Sequence, residues 1–319
     1  MVTSESTVRI ASRGSQLALW QAETVQKRLA DANPGLTVEI EIVKTTGDKI
    51  LDVPLAKIGD KGLFTKEIDE ALLDGRANVA VHSLKDVPTR VPEGLVLAAI
   101  GEREDPRDVV IGRASSRSTL QELKPGARVG TSSLRRRAQL RRLRPDLEVL
   151  DLRGNLNTRL AKLDAGEYEA IILAAAGVIR LGWEDRITHF LEPMEWLPAV
   201  GQGALAIVTR ADDLATNVLV RALHDPTAAL CVSAERAFLR ALEGGCQIPI
   251  GALARVDGSL LLLDGLVADV EGEEILRDQL SGDITAAEEV GRRLAARLIE
   301  GGAERILAAI RNAPPVPAP

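Results

Sequence analysis

Along the chain the hydrophobic positions switch repeatedly between a two-residue and a 3.6-residue period. Val8–Ala11 is a short apolar run. It passes through Ser12-Arg13-Gly14-Ser15 into LALWQAETVQKRLADA, an amphipathic helix that Pro34-Gly35 ends. Val38–Val43 alternates as a strand. TKEIDEALLD (Thr65–Asp74) has helical spacing and stops at Gly75, and Asn78–Val81 opens the next apolar strand. Strands alternating with helices predict parallel βαβ units. The unit recurs: KEIDEALLDGRANVAVHS from Lys66 and TRLAKLDAGEYEAIILAAA from Thr158 share one order, amphipathic helix, glycine stop, a few polar residues, buried strand. Two such α/β lobes imply a cleft faced by the carboxyl ends of their strands. After about residue 220 the texture changes. The helix TAALCVSAERAFLRALEGG gives way to alternating strands with turn signals at Asp257-Gly258 and Glu271-Gly272, and one long helix from about Thr285 comes last. That pattern predicts a smaller α+β domain with antiparallel strands. The terminal NAPPVPAP is expected to be disordered.

Composition narrows the function. The chain has 319 residues, enough for two or three cores, and 27% of them are charged. Three Trp, three Phe and one Tyr are too few to make a surface that stacks single-stranded bases. A net charge of −6 gives no global basic field to recruit nucleic acid or anionic membrane. Two cysteines cannot form a disulfide framework, which favours a reducing compartment. No secretion signal and no membrane-length apolar run is visible, so a cytoplasmic location is expected.

Candidate chemistry concentrates at strand ends. TSSLRRRAQLRRLR carries six arginines in the ten positions from Arg135 to Arg144. By itself such a run is a solvated helix face, or a nucleic-acid surface, which the acidic total disfavours. The context VGTSSLRRR, however, is a strand end, a small-residue turn and a helix start, which is an anion site reinforced by guanidinium forks. Arg13 in SRGSQLAL and Arg153 in LDLRGNLNTRL lie in analogous places, and Arg159 and Arg180 add further charge. Together they suggest a receptor for a polyanionic small molecule. VAVHSLKDVP then delivers Lys85 and Asp86 from the end of another strand. Asp86 is either part of a surface turn or an ionised carboxylate able to stabilise positive charge on a substrate. His82, His189 and His224 have no metal-ligand spacing and are expected to be structural, and GQGALA is not a dinucleotide fingerprint. Cys246, in EGGCQIPIGALA, is a thiol in a glycine loop, open to inert packing or to reactivity.

The segments VRIASRGSQLALWQA, LAKIGDKGLFTKEID, VAVHSLKDVPT, EREDPRDV, VGTSSLRRRAQL, LRGNLNTRL, LPAVGQGALAI and EGGCQIPIGA, spread over nearly the whole chain, resemble the porphobilinogen deaminase (hydroxymethylbilane synthase) family. The resemblance implies two lobes like type II periplasmic binding proteins around a cleft, residues 1–102 with 200–220 and residues 103–199. A cofactor-carrying α+β domain with an antiparallel sheet would span 221–319. It implies a monomeric enzyme of haem biosynthesis that deaminates four porphobilinogen molecules and joins them head to tail into hydroxymethylbilane, with possible hand-over of the product to the next pathway enzyme. The implied cofactor is a dipyrromethane bound by a thioether to Cys246. Asp86 would stabilise the azafulvene cation formed as ammonia leaves. Ser83 and Lys85 beside it, Arg13 with Ser15, Arg135 with Arg136, Arg153 with Arg159, and Arg180 would hold acetate and propionate groups. Lys57, Lys61 and the hydroxyls of Thr131, Ser132 and Ser133 would assist. About a dozen ligand carboxylates call for several planar guanidiniums rather than one lysine. Arg137 has no assigned contact, and Arg141, Arg142 and Arg144 are expected to face solvent. A secreted solute-binding protein would need a leader and would have no use for Cys246, and a DNA-binding regulator would need a helix-turn-helix pattern that is absent.

Overall fold

The computed structural model describes residues 7–49, 65–113, 119–243 and 248–312. The chain divides into two compact units, with divisions at Glu104/Asp105, Gly203/Ala204 and Ala229/Leu230.

The first unit is built on a five-stranded sheet. Its strands are β1 (Thr7–Ser12), β2 (Thr37–Ile42), β3 (Val79–Ser83), β4 (Leu95–Ile100) and β10 (Leu205–Arg210), in the order β2-β1-β3-β10-β4. β1 is parallel to β2 and β3, with Ile10 opposite Ile40 and Val79, whereas β10 runs antiparallel to both β3 and β4. Helices α1 (Gln16–Ala32) and α2 (Lys66–Leu73) make the two crossovers. The middle stretches Ile10–Ala11, Val79–Val81 and Leu205–Val208 are apolar and buried because both faces of the sheet are covered. Val8, Ile10 and Val81 pack with Val25 and Leu29 of α1 on one face, and Ala11, Ala80 and Val208 with Ile68 and Leu72 of α2 on the other. Full burial of each large aliphatic side chain contributes about 1.5–3 kcal/mol.

The second unit repeats the plan. β5 (Asp108–Gly112), β6 (Arg128–Gly130), β7 (Glu148–Leu150), β8 (Ala170–Ala174) and β9 (His189–Leu191) are ordered β7-β6-β8-β5-β9. Helices α3 (Leu134–Leu143) and α4 (Leu156–Asp164) cross from β6 to β7 and from β7 to β8, and α5 (Ala175–Arg180) comes after β8. The two stretches matched in the sequence, around Lys66 and around Thr158, therefore form equivalent crossovers into the middle strand of each sheet. α6 (Leu214–Val220) belongs to the first unit, and α7 (Pro226–Ala241) leads into a second sheet of the second unit. That sheet is β11 (Ile250–Asp257), β12 (Leu260–Ala268) and β13 (Ile275–Asp283), antiparallel throughout. The turns fall at Gly258 and Gly272, both with positive φ, where the sequence signals lie. The expected α/β lobes and antiparallel C-terminal sheet are thus present.

The single long closing helix is corrected. It is two helices, α8 (Ala287–Glu300) and α9 (Ala303–Arg311), separated by Gly301-Gly302, with Gly302 at φ 105°. That conformation is left-handed and interrupts the helix, while the apolar period resumes beyond it. Leu294, Leu298 and Leu307 pack with Phe238 and Leu263 in one core, which also buries Cys231.

Candidate functional site

In each unit the candidate side chains gather where the parallel strands end. In the first unit β1 runs out through Ser12 into Arg13, and Ser15 caps α1 by accepting from the Ala18 amide at 3.4 Å. On the neighbouring parallel strand β3, Ser83 accepts from Gln21 Nε2 at 2.9 Å, which ties the strand end to α1. A single 3₁₀ turn, Leu84–Asp86, comes next; Leu84 anchors it at 1% exposure and leaves Asp86 exposed. A buried apolar residue thus holds a short turn so that the carboxylate two positions on faces outward. His82 beneath it is buried, and its imidazole is pushed down to about 4 by burial and by the charge of Arg13. The histidine is therefore neutral near pH 7, and positive charge at this strand end comes from Arg13 and Lys85.

In the second unit β6 ends at Gly130, and Thr131-Ser132-Ser133 turn the chain into α3. Ser133 caps that helix, accepting from the Arg136 amide at 3.5 Å. Ser132 Oγ donates to the Leu152 carbonyl and accepts from the Leu152 amide, each at 3.0 Å, and so fixes the β6 and β7 ends together. Thr131 Oγ1 accepts from the Ser133 amide at 3.3 Å. Arg153 is half-buried beyond β7, and burial lowers its pKa while Asp151 opposes that shift. Asn155 caps α4 at 3.0 Å, and Arg159 Nε donates to the Gly154 carbonyl at 2.8 Å. Arg180, 8% exposed at the end of α5, donates to the Gly203 carbonyl at 2.5 Å.

Arg135 and Arg136 point inward rather than to solvent. Both converge on Asp108, the first residue of β5 and 0% exposed. Arg135 Nη1 donates to Asp108 Oδ2 and Arg136 Nη2 to Oδ1, each at 2.7 Å. Trp196 Nε1 at 2.8 Å and Gln202 Nε2 at 2.9 Å complete four donors on one carboxylate. Burial alone would raise this carboxyl, but the two guanidiniums outweigh it and hold it far below the usual carboxylate range. Arg136 Nη1 also reaches the Ile172 carbonyl at 2.8 Å, and its buried Nε has no partner among the described residues.

Helix α3 is braced from the C-terminal sheet. Ala138 packs with Leu197, Leu253 and Leu266, and the β12–β13 turn approaches so closely that a Cβ on Gly272 would lie 2.2 Å from the Ala138 carbonyl oxygen. This corrects the solvent-facing expectation for Arg141 and Arg144, whereas Arg142 is exposed as expected. Arg141 pairs with Glu271 of that turn. Arg144 ends the helix, donating to Asp146 at 2.7 Å and to the carbonyls of Leu120 and Leu123 at 2.6 and 2.7 Å. Arg137 pairs with Asp151 at 2.9 Å.

Lys57, Lys61 and Cys246 lie outside the described residues, as does the proline-rich tail. Asp108, Trp196 and Gln202 were not singled out from sequence. The available signal was an aspartate opening the wholly apolar run VVIG. Chemically, the second unit offers directional donors for carboxylates, and the first an exposed anion next to Lys85 after β3, with Arg13 after the adjacent strand β1. Among the described residues no group of three or more His, Cys, Asp or Glu could hold a metal ion.

A family model described as porphobilinogen deaminase, dipyromethane cofactor binding domain, matches residues 8–218, and one for the porphobilinogen deaminase C-terminal domain matches 229–300. The chain is 51% identical over 306 residues to a porphobilinogen deaminase of Syntrophobacter fumaroxidans, covering 96% of this chain and 98% of that one. To a porphobilinogen deaminase of Chlorobaculum parvum it is 52% identical over 306 residues, covering 95% and 97%. Among solved structures, the VFT2 domain of Bordetella pertussis BvgS aligns at 14% identity and a TM-score of 0.43, over 74% of this chain and 93% of that one.

Proposed function

The chain belongs to the porphobilinogen deaminase family, and we propose that its residues divide the family's chemistry between an exposed carboxylate, Asp86, and a set of guanidinium donors that includes Arg13, Arg136 and Arg153. Its activity is that of the family, a transferase reaction that deaminates porphobilinogen and links four pyrroles into hydroxymethylbilane in tetrapyrrole synthesis.

The observation that carries the reading is the charge balance at the start of α3. Two guanidiniums share one buried carboxylate, which leaves one net positive charge and an Arg136 Nε without a partner among the described residues. Such a cluster is poorly compensated until another anion arrives. The acetate and propionate groups of a dipyrromethane fit that donor set, and they fit the half-buried Arg153 and Arg13. When bound, the dipyrromethane supplies the primer pyrrole that is extended. We propose Cys246 as its thioether attachment point; the other cysteine, Cys231, is 6% exposed within an apolar core. Asp86, as an acceptor-only anion, stabilises the positive charge that grows on a pyrrole as ammonia leaves. Ser83 and Lys85 orient and neutralise substrate groups beside it. Ser15, Thr131, Ser132 and Ser133 hold the strand-to-helix turns in the geometry that presents backbone amides to carboxylates. Arg159, Arg180, Lys57 and Lys61 add positive charge. A cytoplasmic monomer that passes its product to the next enzyme completes the proposal, and no described helix is long and apolar enough to cross a membrane.

Intact-mass spectrometry tests the attachment. Purified protein is expected to exceed its sequence mass by two pyrrole units, and Cys246→Ser to remove that increment together with activity. A fully active, unmodified wild type contradicts the reading.

A further inference from the structure

We propose that Asp108 is a positioning residue of the carboxylate-binding cluster, holding Arg135 and Arg136 in one fixed arrangement so that Arg136 can receive a ligand carboxylate. The inference rests on the proposed contact between Arg136 and such a ligand. Asp108 itself, at 0% exposure and with both oxygens occupied by protein donors, cannot touch the ligand.

A buried ion cluster is a weak stability device, because desolvation of the charges offsets most of their attraction. This one is unbalanced as well, two cations to one anion. Its geometry is nonetheless fixed. Arg135 Nη1 donates both to Asp108 and to the Leu197 carbonyl, each at 2.7 Å, and Arg136 donates through Nη2 to Asp108 and through Nη1 to the Ile172 carbonyl at 2.8 Å. Gln139, one turn along α3, donates to the Leu197 carbonyl at 3.1 Å and accepts from the Leu197 amide at 2.8 Å. Gln202 joins Asp108 to the Pro106 carbonyl at 2.7 Å. The carboxylate is therefore the hub through which β5, α3 and the 196–202 segment set two arginine rotamers. An arginine so held loses less side-chain entropy on binding a ligand anion. With a neutral amide at 108, the two guanidiniums would repel each other and lose their common anchor.

The test is a cycle of Asp108→Asn, Arg136→Gln and their combination. The readouts are the KM for porphobilinogen, the fraction of chains carrying the dipyrromethane mass increment, and the melting temperature. Arg136→Gln is expected to raise KM about tenfold. Asp108→Asn is expected to raise it by a similar factor and to lower the loaded fraction. The double variant should be no worse in KM than the worse single one, because Asp108 acts through Arg136. Asp108→Glu keeps the charge but moves the carboxylate by one methylene; it should raise KM even if Asp108→Asn does not fold. Multiplicative KM effects in the double variant, or wild-type KM in Asp108→Glu or in folded Asp108→Asn, overturn the positioning role alone. Unchanged KM and loading in Arg136→Gln overturn the ligand contact on which it rests.

Discussion

The two five-stranded sheets share a strand plan yet treat their carboxylates in opposite ways. In the first unit the 3₁₀ turn after β3 leaves Asp86 exposed, next to Lys85. In the second unit Asp108 is sealed under four donors, and the outward chemistry belongs to arginine. One scaffold thus yields an anion available to a developing cation and a cation cluster available to ligand anions. The difference arises at the strand ends: Asp86 sits on the turn after β3, whereas Asp108 opens β5 itself and is covered by donors from α3 and from Trp196 and Gln202.

Stability should separate the two carboxylates most sharply. Asp108→Asn strands two buried guanidiniums and is expected to cost about 3–5 kcal/mol, read by chemical denaturation. Asp86→Asn removes an exposed group and should stay within about 0.5 kcal/mol of wild type. Equal losses would erase the contrast. A smaller effect is expected at the brace behind α3: Gly272→Ala places a methyl into the Ala138 carbonyl at a left-handed position (φ 72°) and should cost about 2–3 kcal/mol. A neutral result would show that the β12–β13 turn does not hold the arginine helix.

The smallest effects concern the pH dependence of the first unit, where Asp69 and His82 line one recess. Burial lifts the Asp69 carboxyl from 3.8 to about 6. The folded chain therefore binds a proton more readily than the unfolded one, and this contribution is full below pH 3.8 and fades as pH rises through 6. Burial and Arg13 lower His82 from 6.5 to about 4, so its contribution is full above pH 6.5 and is lost as pH falls through 4. Asp69→Asn should therefore leave a melting temperature that falls more steeply on acidification, and His82→Gln one that falls less. Identical pH profiles for both variants and the wild type would refute the opposed pair.

Much of this architecture was legible because the hydrophobic period changes cleanly at each strand–helix junction, as at Asn78–Val81 after the helix 66–73. The repeated crossover could be read for the same reason, since each copy lies within about twenty contiguous residues. The insertion of β10 between β3 and β4 could not be read, because its pairing with Val79–Ser83 is a contact across more than a hundred residues of chain. Part of the arginine run was hidden for a related cause. Periodicity leaves Arg141 and Arg144 on the outer face, yet Arg141 pairs with Glu271, 130 residues away, and Arg144 with the carbonyls of Leu120 and Leu123. Nothing local to Arg135 and Arg136 shows that they share Asp108, 27 and 28 residues away. Gly301-Gly302 was visible as letters, but a continuing apolar period on both sides disguised the break.

The most direct test of the divided site is steady-state kinetics on loaded Asp86→Asn beside Arg153→Gln. The account predicts that Asp86→Asn lowers kcat about 10²–10³-fold with KM nearly unchanged. Arg153→Gln should raise KM about tenfold with a smaller loss of kcat. Wild-type kcat in loaded Asp86→Asn, or the same kinetic defect in both variants, would contradict it.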